Sequence, residues 1–167
     1  DDYDVGLWEH FSHLLATKAG INAAKTKVLA TGEKYHTLLS QRFDRTQEGK
    51  RIHFASAMTL LGLSDGDNAT TEHGYLDIVD FIIQNCTDVE RNLQELYRRV
   101  AFNICIGNSD DHFRNHGFLL TAKGWILSPA YDMNPTLSEF QSLLISATSN
   151  KAGLSLSLIH ISEPTRL

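Results

Sequence analysis

An α+β fold is what this 167-residue sequence predicts. Three observations carry it: apolar side chains recur at helical spacing near the start and again through the middle, residues 25–44 turn to strand-forming composition, and two short apolar runs flank a Lys-Gly turn near residue 124. The length admits one cored domain, or one lobe and part of another. A composition of 42% apolar and 21% charged residues is that of an ordinary globular chain.

The elements follow in order. Leu7, Trp8, Phe11, Leu14 and Leu15 share one helical face and Gly20 is a natural stop, so a helix of about three turns is expected, with an apolar face that must dock onto something. Lys25 to Asp44 reads as a hairpin, with a Thr31-Gly32-Glu33 turn between Thr26–Ala30 and Tyr35–Phe43. From His53 to Ile106 the pattern is helical throughout: Phe54, Ala57, Met58 and Leu61 mark a first helix, residues 62–68 a polar loop, and Tyr75–Ile83 a second helix. The strongest helix runs over Val89–Cys105 on a stripe of Val89, Leu93, Leu96, Tyr97, Val100, Ala101, Ile104 and Cys105. Thr87 and Glu90 have the spacing of a capping box at its entrance. Phe118–Leu120 and Trp125–Leu127 then form a short hairpin around Thr121-Ala122-Lys123-Gly124.

The bulk properties narrow the function. A net charge of -5 argues against a broad nucleic-acid footprint, and no apolar run approaches the roughly 20 residues that cross a bilayer, so no direct membrane contact is expected. Cys86 and Cys105 lie in apolar segments without metal or disulfide spacing and read as buried, reduced thiols of a cytoplasmic protein. The chain opens at Asp1 without an initiator methionine and enters a helix almost at once, as a truncated start would. Leu156 to Arg166 resembles the translation of a transposon-based sequencing adapter, so residues 155–167 are set apart from the fold as a non-native tail.

The chemistry concentrates in Gly107-Asn108-Ser109-Asp110-Asp111-His112-Phe113-Arg114-Asn115-His116-Gly117, which sets Asp110 and Asn115 five positions apart in a polar loop. Seventeen residues beyond Asn115, after the second hairpin, stands Asp132. Phosphoryl transfer asks for an oriented hydroxyl and for cations on the phosphate oxygens. Asp110 suits the base that accepts a substrate proton; Asn115 and Asp132 offer the hard oxygen ligands that magnesium prefers, and the hairpin between them would bring them together. A loop of this composition is also what a solvated turn after a helix looks like. His112 and His116 suit loop-orienting hydrogen bonds better than a zinc site, and Arg114 suits a pair with Asp111, a phosphate contact or a solvated surface position.

Asn108 to Phe118 together with Leu127 to Pro135 closely resembles the catalytic and metal-binding motifs of HipA-like serine/threonine kinases, and Arg42-Phe43-Asp44-Arg45 resembles a third signature of that family. The resemblance spans most of Asp4 to Thr136. It implies a protein-kinase-like two-lobed fold, with residues 1–45 as the end of the small lobe and hinge, and 46–154 as part of the helical lobe. It implies ATP and Mg2+ as cofactors, Asp110 as catalytic base, Asn115 and Asp132 as metal ligands, and a nucleotide side formed by Gln41, Arg42, Phe43, Asp44 and His112, with Gln41–Phe43 as the hinge that meets adenine. It further implies a toxin-antitoxin context, a DNA-binding antitoxin partner and a protein substrate of the glutamyl-tRNA synthetase type. The family's nucleotide-binding lysine and phosphate loop would lie upstream of residue 1 and most of its helical lobe beyond Thr136, so the chain reads as the inactive middle of a kinase. Met133-Asn134 after Asp132 departs from the Phe-Gly of eukaryotic-type kinases. Two other classes stay open: a metal-dependent phosphoesterase on Asp110, Asp111, His112, His116 and Asp132, and a noncatalytic partner-binding module.

Overall fold

Asp4 opens the first helix by accepting a hydrogen bond from the Leu7 N–H at 3.2 Å, and α1 then runs over Val5–Lys18. The computed structural model describes residues 3–136, 141–145, 148, 149 and 151; the proposed tail at 155–167 lies outside them. Next come β1 (Thr26–Thr31) and β2 (Tyr35–Ser40), paired antiparallel with Val28 opposite Leu38, so the expected hairpin forms but its second strand ends at Ser40 rather than Phe43. Helix and hairpin are tied by polar groups: the Asp4 carboxylate holds the His36 ring at 2.6 Å and accepts from the His36 N–H at 3.2 Å, while His10 and Thr26 are hydrogen-bonded at 2.8 Å. At Gly6 the two layers touch so closely that a Cβ would collide with the His36 carbonyl.

The remainder is built around a second sheet. Strands β3 (Phe54–Ser56), β4 (Gly117–Thr121) and β5 (Gly124–Leu127) are antiparallel in that order, with Ala55 opposite Phe118 and Leu119 opposite Ile126. The short α2 (Ala57–Leu60) follows β3, and α3 (Tyr75–Asn85) and α4 (Val89–Ile106) pack against the sheet. Ile78, Ile82, Leu96, Val100 and Phe118 are fully buried in the resulting core, and the Phe81 ring meets Phe118 edge-on at 4.8 Å. A smaller cluster of Ala16, Ile21, Ala130 and Met133 joins the end of α1 to the segment after β5. Backbone bonds reinforce it, from the Ala24 N–H to Ala130 O and from the Ala130 N–H to Asn22 O, both 2.8 Å.

Four expectations need correction. The helix expected from His53 is a strand up to Ser56, because Phe54, Ala55 and Ser56 find partners on β4 more than sixty residues away. The capping box does not form: Asp88 is the N-cap, in the left-handed region at φ 53°, while the Thr87 N–H and hydroxyl both go to the Trp125 carbonyl, at 2.9 and 3.4 Å. Asn92 ties the entrance down in a different way, by donating to the Thr87 and Asp88 carbonyls at 2.7 and 2.9 Å. Cys105 is exposed, while Cys86 is half-buried with its thiol pushed up to about 12 by burial. The apolar face of α1 is not docked within the described residues: Trp8, Phe11 and Leu14 stand 45, 48 and 49% exposed, and the buried positions are Ser12, His13 and Ala16.

Candidate active site

Helix α4 positions both motifs, through polar side chains on its buried side. Asn92 Oδ1 accepts from the Leu127 N–H at 2.7 Å, Arg99 donates to the Ser128 carbonyl at 2.7 Å, and Asn103 donates to the Asp111 carboxylate at 2.8 Å. These three residues stand at i, i+7 and i+11, close to one helical face, so one helix registers the end of β5, the segment leading to Asp132 and the loop carrying Asp110. Arg99 is itself held by Glu95, at 2.8 and 3.0 Å. Gly107 ends the helix in the left-handed region at φ 70°, which admits glycine without strain.

The loop that follows has an outer and an inner face. Asp110 is exposed and borders a cavity of about 150 Å3 lined by the 64–68 loop, His112, Phe113 and Arg114. Asp111 is fully buried, and one carboxylate oxygen receives the Tyr75 hydroxyl at 2.7 Å, the Asn103 amide at 2.8 Å and the His116 Nε2 at 3.0 Å. Burial raises the Asp111 carboxyl, but His116, Tyr75 and Asn103 outweigh it and hold it below the ordinary carboxylate range. The Tyr75 hydroxyl is pushed well up, by burial first and then by the Asp111 charge. Asn115 is buried, and its amide NH2 donates to the Asp110 carbonyl at 3.4 Å, which leaves Oδ1 as an acceptor. Arg114 pairs with Asp65 rather than Asp111.

Asp132 arrives from the other side. Its backbone is left-handed at φ 57°, a conformation that non-glycine residues hold only where the surroundings impose it. The preceding Tyr131 hydroxyl donates to the Arg114 carbonyl at 2.5 Å, docking the second motif against the first. Asp132 borders a cleft of about 520 Å3 that it shares with Glu9, His13, Ser40, Gln41, Arg42, Phe43, Asp44, Phe54, Arg114 and Tyr131. The Phe43, Phe54 and Tyr131 rings cluster there, with centroids 5.6 to 6.3 Å apart. Asp44 is clamped by Arg42 and Arg45 and its carboxyl lowered to about 2, Arg42 being the main cause. Glu9 is raised, by burial first and then by Asp132.

The structure therefore gathers Gln41, Arg42, Phe43 and Asp44 with Asp132 in one cleft, and places Asp110 with His112 in the adjoining smaller cavity. Arg114 lines both. Glu9, His13, Phe54 and Tyr131 line the cleft without having been singled out from sequence as site residues. Glu9 and His13 lie on the face of α1 opposite its apolar stripe, which was the available signal; Phe54 was masked by its apparent helical pattern. The donor chemistry fits a magnesium ion: an amide oxygen on Asn115 and an exposed carboxylate on Asp132, bonded to the Asn134 amide at 3.2 Å, are hard oxygen ligands.

A helix packed on a small hairpin, a cleft at the hairpin's end and a polar loop leaving a long helix make up a protein-kinase-like α+β fold. The solved structure of HipA from Shewanella oneidensis, in complex with HipB and operator DNA, shares it at a TM-score of 0.78, with 18% identity over 98% of this chain and 43% of that one. A Helicobacter pylori proinflammatory kinase, CtkA, shares it at 0.62, with 16% identity over 78% of this chain and 47% of that one. Residues 2–163 match the model of the HipA-like C-terminal domain, and the chain belongs to that family. Among curated proteins it is 28% identical to the serine/threonine-protein kinase toxin HipA of Shewanella oneidensis over 75% of its length, and 25% identical to a putative kinase of Haemophilus influenzae over 82%. It spans 33 and 44% of those two relatives.

Proposed function

We propose that the full-length protein carrying this chain is a HipA-like serine/threonine kinase that transfers the γ-phosphoryl group of ATP to a protein hydroxyl. The observation that carries the reading is the shared cleft: the strand end at Gln41–Asp44, an aromatic cluster able to stack on a base, and Asp132 open onto one space, and Tyr131 docks that segment on the loop bearing Asp110 and Asn115. Asp110, exposed and facing the adjoining cavity, accepts the proton of the attacking hydroxyl. Asn115 and Asp132 would hold magnesium, which when bound neutralises charge on the phosphate oxygens. Phe43, Phe54 and Tyr131 supply an apolar wall that excludes water from the nucleotide base.

The relatives support a wider setting as part of the same proposal. One is named as a toxin kinase and its structural counterpart is solved with HipB and operator DNA, which favours a cognate DNA-binding antitoxin as partner here. A substrate of the glutamyl-tRNA synthetase type and a cytoplasmic location belong to the same reading. No helix among the described residues is long and apolar enough to cross a membrane.

The phosphoesterase alternative loses two of its residues, because Asp111 and His116 are buried and bonded to each other at 3.0 Å. Among the described residues no three His, Cys, Asp or Glu side chains are grouped to hold a metal. The deciding experiment follows radiolabelled phosphate from ATP with the full-length protein and its Asp110→Asn variant. Label on a serine or threonine, lost in the variant, is expected; label released as free phosphate, or transfer retained by the variant, overturns the assignment.

A further inference from the structure

The loop's two working residues each have a neighbour that faces inward. Asp110 is followed by Asp111 and Asn115 by His116, and Asp111 and His116 are joined to each other at 3.0 Å, 1 and 2% exposed. Their bond closes the loop beside the base and beside the amide at once. Tyr75, the first residue of α3, and Asn103, near the end of α4, fasten the same carboxylate oxygen at 2.7 and 2.8 Å. Asn103 also receives the Asn108 side chain on its Oδ1 at 3.2 Å, and its backbone carbonyl receives the Asn108 N–H at 2.8 Å, so the loop's entrance is gripped by the residue that grips its centre. The Tyr75 ring stacks edge-on against His116 at 5.7 Å, and the His116 carbonyl accepts the Ala57 N–H at 2.7 Å.

A buried carboxylate with three donors is a poor means of adding stability, since apolar side chains of the same volume serve as well or better. It does fix geometry, because donors from α3, from α4 and from the loop itself all hold one oxygen. We propose that Asp111 is a positioning residue: held by Tyr75, Asn103 and His116, it sets the placement of Asp110 relative to Asn115 without touching substrate or cofactor. The proposal rests on the kinase reading of Asp110 and extends it to the residues behind the loop. The nucleotide cleft lies apart from this hub, whose members are not among the residues lining it. The consequence is a selective one: loosening the hub lowers the rate of transfer far more than it weakens ATP capture.

The test uses the full-length protein with Asp111→Asn, Tyr75→Phe, Asp110→Asn and, as a control, Val79→Ala, a buried α3 position in the same core with no part in the hub. At a temperature where each variant is folded, Asp111→Asn is expected to lower kcat by about 10²-fold, the scale of a misplacement of about 1 Å, with a far smaller change in KM for ATP. Tyr75→Phe, which removes one donor and keeps the ring, lowers kcat less and in the same sense. It decides the matter where Asp111→Asn does not fold. Val79→Ala lowers Tm and leaves kcat as it was. Wild-type kcat in Tyr75→Phe and Asp111→Asn beside an inactive Asp110→Asn overturns the positioning role alone, as does a loss no greater than that of Val79→Ala. An active Asp110→Asn overturns the kinase reading, and the proposal with it.

Discussion

Helices α4 and α1 carry the same kind of apolar stripe and meet opposite fates. On α4, Leu93, Leu96 and Val100 are at most 4% exposed, packed under the three-stranded sheet and against α3. On α1, Leu7, Trp8, Phe11 and Leu14 are 41 to 49% exposed, and the helix turns Ser12, His13 and Ala16 inward. Periodicity reports that a helix is two-faced; it does not report which face the rest of this chain will cover. For α4 the apolar side is the structural one and a few polar residues within the buried surface align the site. For α1 the small and polar side does both tasks, since Glu9 and His13 on that side line the cleft.

The contrast can be broken most sharply with Leu96→Ala, which empties a fully enclosed position and is expected to cost about 2–5 kcal/mol, read from the urea midpoint at constant slope. Gly6→Ala attacks a place where α1 lies directly against the hairpin backbone. A methyl group there meets the His36 carbonyl, and overpacking of about 1–3 kcal/mol should separate helix from hairpin, seen as early exchange of the β2 amides. A smaller effect is expected from acid. Asp44, lowered by its arginine partners from 3.8 to about 2, binds its proton more readily in the unfolded chain, so its stabilisation is complete above about 4 and is lost as pH falls toward about 2. In Asp44→Asn that part of the acid slope should vanish; an unchanged slope would show that the clamp adds nothing. At the bottom of the range, Phe11→Ala on the exposed stripe should shift the midpoint by no more than about 0.5 kcal/mol. A cost comparable to that of Leu96→Ala would mean that the α1 stripe is covered after all.

Much of the molecule was legible because it is local. The existence of α3 and α4 and of the hairpins at 26–40 and 117–127 follows from residue spacing and turn chemistry, with helix ends within two residues and the second strand of the first hairpin stopping at Ser40 rather than Phe43. The candidate site was legible as a motif: Asp110 and Asn115 lie on one loop, and Asp132 on the segment that Tyr131 docks against it. Phe54 was not legible, since three residues of strand ahead of a one-turn helix read as one helical run until β4 supplies the partner. Neither was the fate of Thr87, whose capping signal was outbid by the Trp125 carbonyl, nor that of Asp111, which looked like a second loop carboxylate.

By itself the sequence determined the order of elements, the family resemblance and the residue types available for phosphoryl transfer, because each depends on neighbours along the chain. Tertiary structure decided the rest. It turned Asp110 outward and Asp111 inward, made Asn92, Arg99 and Asn103 the registration points of α4, and left the apolar face of α1 exposed. The physical reason is common to all three: a side chain's role depends on which distant donors, acceptors and surfaces the fold brings to it, and spacing along one segment carries no record of them.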